Sequence, residues 1–89
     1  MSYPNIIQRL EGFSVEMISR TKLVYTESGR SVKVDCEWLA GPHSLVVYTD
    51  TLTHWTVPDG IEISSEERAK IVDNIRKAFR FRGVEIEVQ

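Results

Sequence analysis

Cysteine occurs once in these 89 residues, at Cys36, so no disulfide can form within the chain. That fits a reducing compartment and leaves stability to the core alone. An excess of either charge is also missing. Thirteen acidic residues against eleven basic ones give a net charge of −2, too near neutral to capture nucleic acid or an anionic membrane by charge. There is no long hydrophobic run: the longest, Leu45 to Tyr48, is far short of a bilayer span. The start, MSYPNIIQRLEGF, has no basic segment followed by an apolar stretch, so no signal peptide is expected and the reading is cytoplasmic. No internal repeat, low-complexity tract or linker stands out, and the length suits one domain spanning 1–89.

Catalytic and metal signatures are absent as well. Cys36, His43 and His54 do not form the close ligand pairs of a structural zinc site. Asp50 precedes His54 by four residues, but in a loop that spacing fixes no geometry. Cys36 shares an alternating pattern with Val34 and Trp38, where a cysteine behaves as a small inert hydrophobe. No metal, cofactor or catalytic residue is expected.

What is present is a clear alternation of secondary structure. PNIIQRLEG has Pro4 at a helix-start position, a crude apolar face of Ile6, Ile7 and Leu10, and Gly12 to stop it, which predicts one or two helical turns. SVEMIS and TKLVYTE read as short strands. Ser28-Gly29 marks a hairpin turn, beyond which Val32, Val34, Cys36 and Trp38 alternate with Lys33, Asp35 and Glu37. That period of two gives one buried and one wet face, with Trp38 expected in the core. Gly41-Pro42 breaks the pattern, and LVVYT then reads as a central strand covered at least in part on both faces.

The helix has both ends written in sequence. Ser64 and Glu67 have capping-box spacing, and Gly83 supplies the left-handed stop. Ile71, Val72, Ile75, Ala78 and Phe79 form an apolar stripe, while Glu66–Lys70 and Asp73–Lys77 are spaced as favourable ion pairs. VEIEV closes the pattern as a half-exposed strand. The predicted class is α+β: two layers, a mostly antiparallel four- to five-stranded sheet with one long helix packed on a face, in the order β-β-β-β-α-β. Val32, Val34, Val46, Tyr48, Ile71, Ile75 and Phe79 are the expected core.

Several features have competing readings. Arg76, Lys77, Arg80 and Arg82 crowd the end of the helix, as a phosphate-binding patch would, but the helix macrodipole favours the same distribution and no stacking platform accompanies them. Trp55, in TLTHWTVPDG, is either a plug at the edge of a small core or an anchor for a partner; the size of the domain favours the plug.

The runs LVYTESGRSVKVDCEWL, LVVYTDTLTHWTVPDG and ISSEERAKIVDNIRKAFRFRGVEIEV together resemble immunity protein family seventy-four of bacterial polymorphic toxin systems. Tyr25, Gly29, Glu37, Tyr48, Trp55, Pro58, Gly83 and Glu87 carry the likeness, which covers roughly residues 20 to 88. It implies a non-enzymatic cytoplasmic protein whose partner is a cognate toxin, and it brings no catalytic residues. Exposed polar groups are then the expected partner-binding residues: acidic Asp35 and Glu37 on the outward strand face, and Asp50, Asp59 and the histidine His54 in the loop, with acidic Glu85 and Glu87 on the last strand. Two other classes stand beside this one. One is a small nucleic-acid-binding module, against which the charge balance argues. The other is a structural domain forming homo-oligomers through an open sheet edge.

Overall fold

The computed structural model describes residues 6–10, 12–39 and 44–89. Its strands are β1 (Ile6–Leu10), β2 (Phe13–Met17), β3 (Lys22–Glu27), β4 (Arg30–Trp38), β5 (Ser44–Tyr48) and β6 (Glu85–Val88); one helix, α1 (Ser65–Phe81), precedes β6. The strands form one sheet in the order β1-β2-β3-β4-β5-β6. All neighbours are antiparallel except β5 and β6, which run parallel because α1 lies between them in the chain. The α+β class and the helix-on-sheet layering expected from the sequence are both present.

The first element corrects the reading of PNIIQRLEG. Where it is described, this stretch is a strand, giving a six-stranded sheet; Pro4 lies outside the described residues. A helix of so few residues cannot repay its own nucleation. Pairing with β2 supplies backbone partners instead, and β-branched Ile6 and Ile7 suit a strand. Gly12, at φ +87°, lies in the turn between β1 and β2 rather than ending a helix.

The remaining local signals form as written. Ser28 and Gly29 both have positive φ, +53° and +78°. A two-residue turn with that pair of angles matches the twist of its flanking strands. On β4, Val32, Val34 and Cys36 are buried, and on β5 Leu45, Val46 and Val47 are buried in succession. Trp38 departs from expectation. It is 38% exposed, at the last position of β4, and makes an edge-on contact with Phe79. Tyr48 is half-buried rather than buried. The break at Gly41-Pro42 lies outside the described residues.

At the helix start, the Ser64 hydroxyl accepts from Glu67 N–H and the Glu67 carboxylate accepts from Ser64 N–H, each at 3.1 Å, an arrangement worth about 1 kcal/mol. At its end, Val84 N–H donates to Phe79 C=O and Gly83 N–H to Arg80 C=O, the double bond that a left-handed glycine permits. Asp73 and Lys77 pair at 3.4 Å as spaced. Lys70 does not pair with Glu66. It reaches across to Glu27 at 2.7 Å, where a carboxylate only 19% exposed attracts it more strongly than a solvated one on its own helix.

The core lies between sheet and helix, with Tyr25, Leu23, Val32, Val34, Ile71, Ile75 and Phe79 nearly inaccessible to solvent. The sheet is curled, so that α1 touches both edge strands, β1 and β6, as well as β2. Among the described residues, no helix is long and apolar enough to cross a membrane.

Candidate functional site

Strand alternation decides which side chains share the outer face of the sheet, the one turned away from α1. Val34, Cys36, Leu45 and Val47 belong to the core cluster, so Asp35, Glu37, Val46 and Tyr48 fall on the opposite face. Register then brings distant segments together. Val46 is paired with Glu37 on one side and Glu87 on the other, while Ser44 is paired with Glu85. Glu37, Glu85 and Glu87 are exposed, and Val46, only 2% exposed, lies between two of them.

Tyr48 ties this surface together. Its hydroxyl donates to Glu37 Oε1 at 2.8 Å. That hydrogen bond, then desolvation, then the negative charges of Glu37 and Glu87 push its pKa above the usual phenol value. The phenol therefore stays a neutral donor at physiological pH. Asp35 sits at the margin of the patch and pairs with Lys22 of β3, so part of its charge is already matched. The result is an acidic surface built from β4, β5 and β6, with an aromatic ring in it.

The loop residues lie outside the strands that form that surface. The segment after β5 runs back along the upper half of β4, where Ser31 N–H donates to Val57 C=O and Thr56 N–H to Ser31 C=O. Asp59 lies in the turn beyond this contact, and Ser31 is four residues from Asp35, about 13 Å along an extended strand. Asp50 is exposed in a short 3₁₀ turn directly after β5. His54 is exposed, makes a backbone bridge to Glu62, and shares a 3.2 Å hydrogen bond with Thr53. Asp35 and Glu37 thus share the outer face of the sheet, Asp50 follows β5 directly, and His54 and Asp59 lie further along the loop.

The other singled-out residues fall into place around the core. Cys36 is buried, and desolvation, helped by the charge of Asp35, pushes its thiol up to about 11, which removes the thiolate needed for nucleophilic attack near neutrality. Among the described residues, no three His, Cys, Asp or Glu side chains gather as a metal site would require; His43 lies outside them. Arg76, Lys77, Arg80 and Arg82 are exposed along the last turns of α1.

Sequence reasoning missed a polar network beneath the helix. Asn74, 8% exposed, donates through Nδ2 to the Tyr25 hydroxyl at 2.7 Å, and that hydroxyl donates to Glu27 Oε1 at 2.8 Å. Burial pushes the Glu27 carboxyl up, but its hydrogen bonds from Lys70 and Tyr25 and the charges of Lys70 and Arg30 outweigh this and leave its pKa lowered. The signal was a lone amide on the apolar stripe, three residues after Ile71 and four before Ala78. A buried amide needs partners.

Trp55, 3% exposed, packs against Tyr25 with ring centroids 6.5 Å apart, as a plug does. Its indole N–H finds no acceptor among the described residues, at a cost of about 1–3 kcal/mol. It lines a cleft of about 280 Å³ together with Glu27, Arg30, Glu67 and Lys70.

This chain thus presents a buried thiol, a packed core and an acidic face on the sheet. No curated protein and no solved structure matches it. Residues 15–89 do match a family model, Immunity protein 74. That span begins inside β2 and takes in every element from β3 to β6, so the chain belongs to the immunity protein 74 family.

Proposed function

We propose that this protein is a non-catalytic, cytoplasmic immunity protein that binds a cognate bacterial toxin and neutralises it, with the acidic outer face of the sheet as its docking surface. Family membership carries the reading. The face adds physical support. Its backbone is held by strand pairing on both sides of β5, so little order need be gained on binding. A tyrosine flanked by carboxylates offers a contact of the kind that concentrates binding energy. A toxin that acts on nucleic acid has a basic active site, and Glu37, Glu85 and Glu87 would steer it in and occupy it. Asp35 extends the surface at its margin, and Asp50, His54 and Asp59 form a second rim for a large partner.

The test is protection of cells that co-express the toxin encoded beside this protein. A Glu37→Lys/Glu87→Lys variant should fold with an unchanged melting temperature and lose protection. Its association rate with the purified toxin should fall and become less sensitive to salt. Asp50→Lys/Asp59→Lys should have a smaller effect. Full protection by both double variants at native expression would remove the acidic surfaces from the mechanism.

A further inference from the structure

β6 closes one side of the sheet, and among the described residues no strand lies beyond it. Its backbone is used on one side alone. Gln89, just past its end, donates its N–H to Val47 C=O and accepts at its own C=O from Thr49 N–H, both toward β5. Backbone groups alternate along a strand, so Glu85 and Glu87 also turn theirs to β5, while those of Ile86 and Val88 point outward. No backbone bond among the described residues engages that outward pair.

The side chains beside this edge are also incompletely covered. On the inner face Leu45 and Val47 of β5 are fully buried, but Ile86 and Val88 next to them are half-buried, with no further strand beside them. On the outer face Glu85 and Glu87 are exposed, and no ion pair of the described residues involves either. Glu87 accepts from the Gln89 amide at 2.8 Å, a neutral donor that leaves its charge in place.

An open edge invites pairing with another chain, and native proteins blunt theirs against it. β1, at the other side of the sheet, carries a register shift between Ile6 and Gln8, an irregularity of the kind that spoils an edge. β6 is regular along its pairing with β5 and is guarded by charge instead. Antiparallel self-pairing with Ile86 opposite Ile86 sets Glu85 against Glu87, and with Ile86 opposite Val88 it sets Glu87 against Glu87. Like charges directly opposite are destabilising, whereas opposite charges in the same places are favourable. The edge that excludes a copy of itself therefore suits a basic strand.

We propose that β6 receives an extended segment of a partner protein as a seventh strand, with Lys or Arg at alternate positions against Glu85 and Glu87 and apolar side chains between them beside Ile86 and Val88. Main-chain hydrogen bonds supply the grip, and alternate side chains supply the selection. This mode of binding rests on the acidic docking face proposed above and specifies how a partner engages it. No toxin enters the measurement below, so its failure is separate from failure of the protection assay.

The experiment follows the backbone N–H signals of the ¹⁵N-labelled full chain by NMR as the capped peptide acetyl-Val-Lys-Val-Lys-Val-amide is added. Two controls accompany it: the same peptide with glutamate for lysine, and the lysine peptide N-methylated at its valines, which keeps every charge but cannot pair. The Ile86 and Val88 protons should move downfield and saturate in roughly the millimolar range, while the Glu87 proton, already turned to β5, moves less. Neither control should reproduce this. Glu85→Gln/Glu87→Gln should weaken binding roughly three- to tenfold. Val88→Pro removes an outward N–H that β5 does not use and should weaken it about tenfold; if that variant melts lower, the N-methylated peptide carries the same test. Equal binding of the N-methylated peptide reduces the contact to charge attraction and overturns strand addition. Equal binding of the glutamate peptide overturns the basic partner, and larger movement in β1 than in β6 overturns the choice of edge. Movement of Ile86 and Val88 with protein concentration alone makes a second copy the occupant and overturns the proposal. No movement with the lysine peptide refutes it outright.

Discussion

Removing the single hydroxyl of Tyr25 should cost more than removing a surface hydrogen bond, because that oxygen serves two partners at once. It accepts from Asn74 Nδ2 at 2.7 Å and donates to Glu27 at 2.8 Å. In Tyr25→Phe, Glu27 keeps Lys70 and loses one neutral donor, about 1 kcal/mol. Asn74 fares worse. At 8% exposure it has little access to water, and its stranded amide adds about 1–3 kcal/mol. The sum, about 2–4 kcal/mol, corresponds to a fall in melting temperature of roughly 10–25 °C for a domain of this size. Asn74→Leu alone should cost about 1–2 kcal/mol, since Tyr25 still donates to Glu27. The decisive measurement is the double variant, Tyr25→Phe/Asn74→Leu, in urea denaturation. Replacing both members of a buried pair with apolar groups is close to neutral, so the double should be more stable than the sum of the singles by at least about 1 kcal/mol. Additivity within about 0.3 kcal/mol would show that the two groups do not act as a pair.

Two further predictions follow from the same neighbourhood. Glu27 has a folded-state pKa below its usual 4.5, so its contribution is complete above that value and is lost as pH falls through the lowered one; Glu27→Gln should therefore show a shallower loss of stability between about pH 5 and pH 3 than the parent protein, and parallel acid-denaturation curves would refute this. Trp55→Ala should cost about 3–5 kcal/mol as a buried ring is lost, whereas Trp38→Ala, with a partly exposed ring and one edge contact to Phe79, should cost about 1–2 kcal/mol; equal losses in denaturant would contradict the plug assignment.

Much of the fold was legible where a short-range rule has a single solution. The Ser28-Gly29 turn, the alternation along β4, the Ser64–Glu67 cap and the Gly83 stop each depend on residues within a few positions of one another, and each forms. Long-range pairing decided the rest. Ile6, Ile7 and Leu10 fit a helical stripe and a strand about equally well, and only the presence of β2 beside them selects the strand. Lys70 had an adequate partner four residues away, and the sheet offered a better one. The exposure of Trp38, at the last position of β4, is not written in its alternation.

The candidate site was legible as chemistry but not as geometry. Alternation assigned Asp35, Glu37, Glu85 and Glu87 to outward positions, yet nothing local says that β5 will set Glu37 and Glu87 on either side of Val46. The path of the loop beyond Asp50 is set by its pairing with Ser31, which is again a long-range choice. Asn74 was hidden because its partner, Tyr25, is 49 residues away.

The helix touches both β1 and β6, the two rims of the curled sheet. An edge strand ordinarily frays by itself, opening and closing without reference to the far side. Here one fastener serves both rims, and loosening α1 from either weakens its hold on the other. Slow amide exchange should accordingly rise and fall together in β1 and β6, although four strands separate them. A partner that clamps the β6 rim would then be felt at β1 as added protection, in a part of the molecule it never meets.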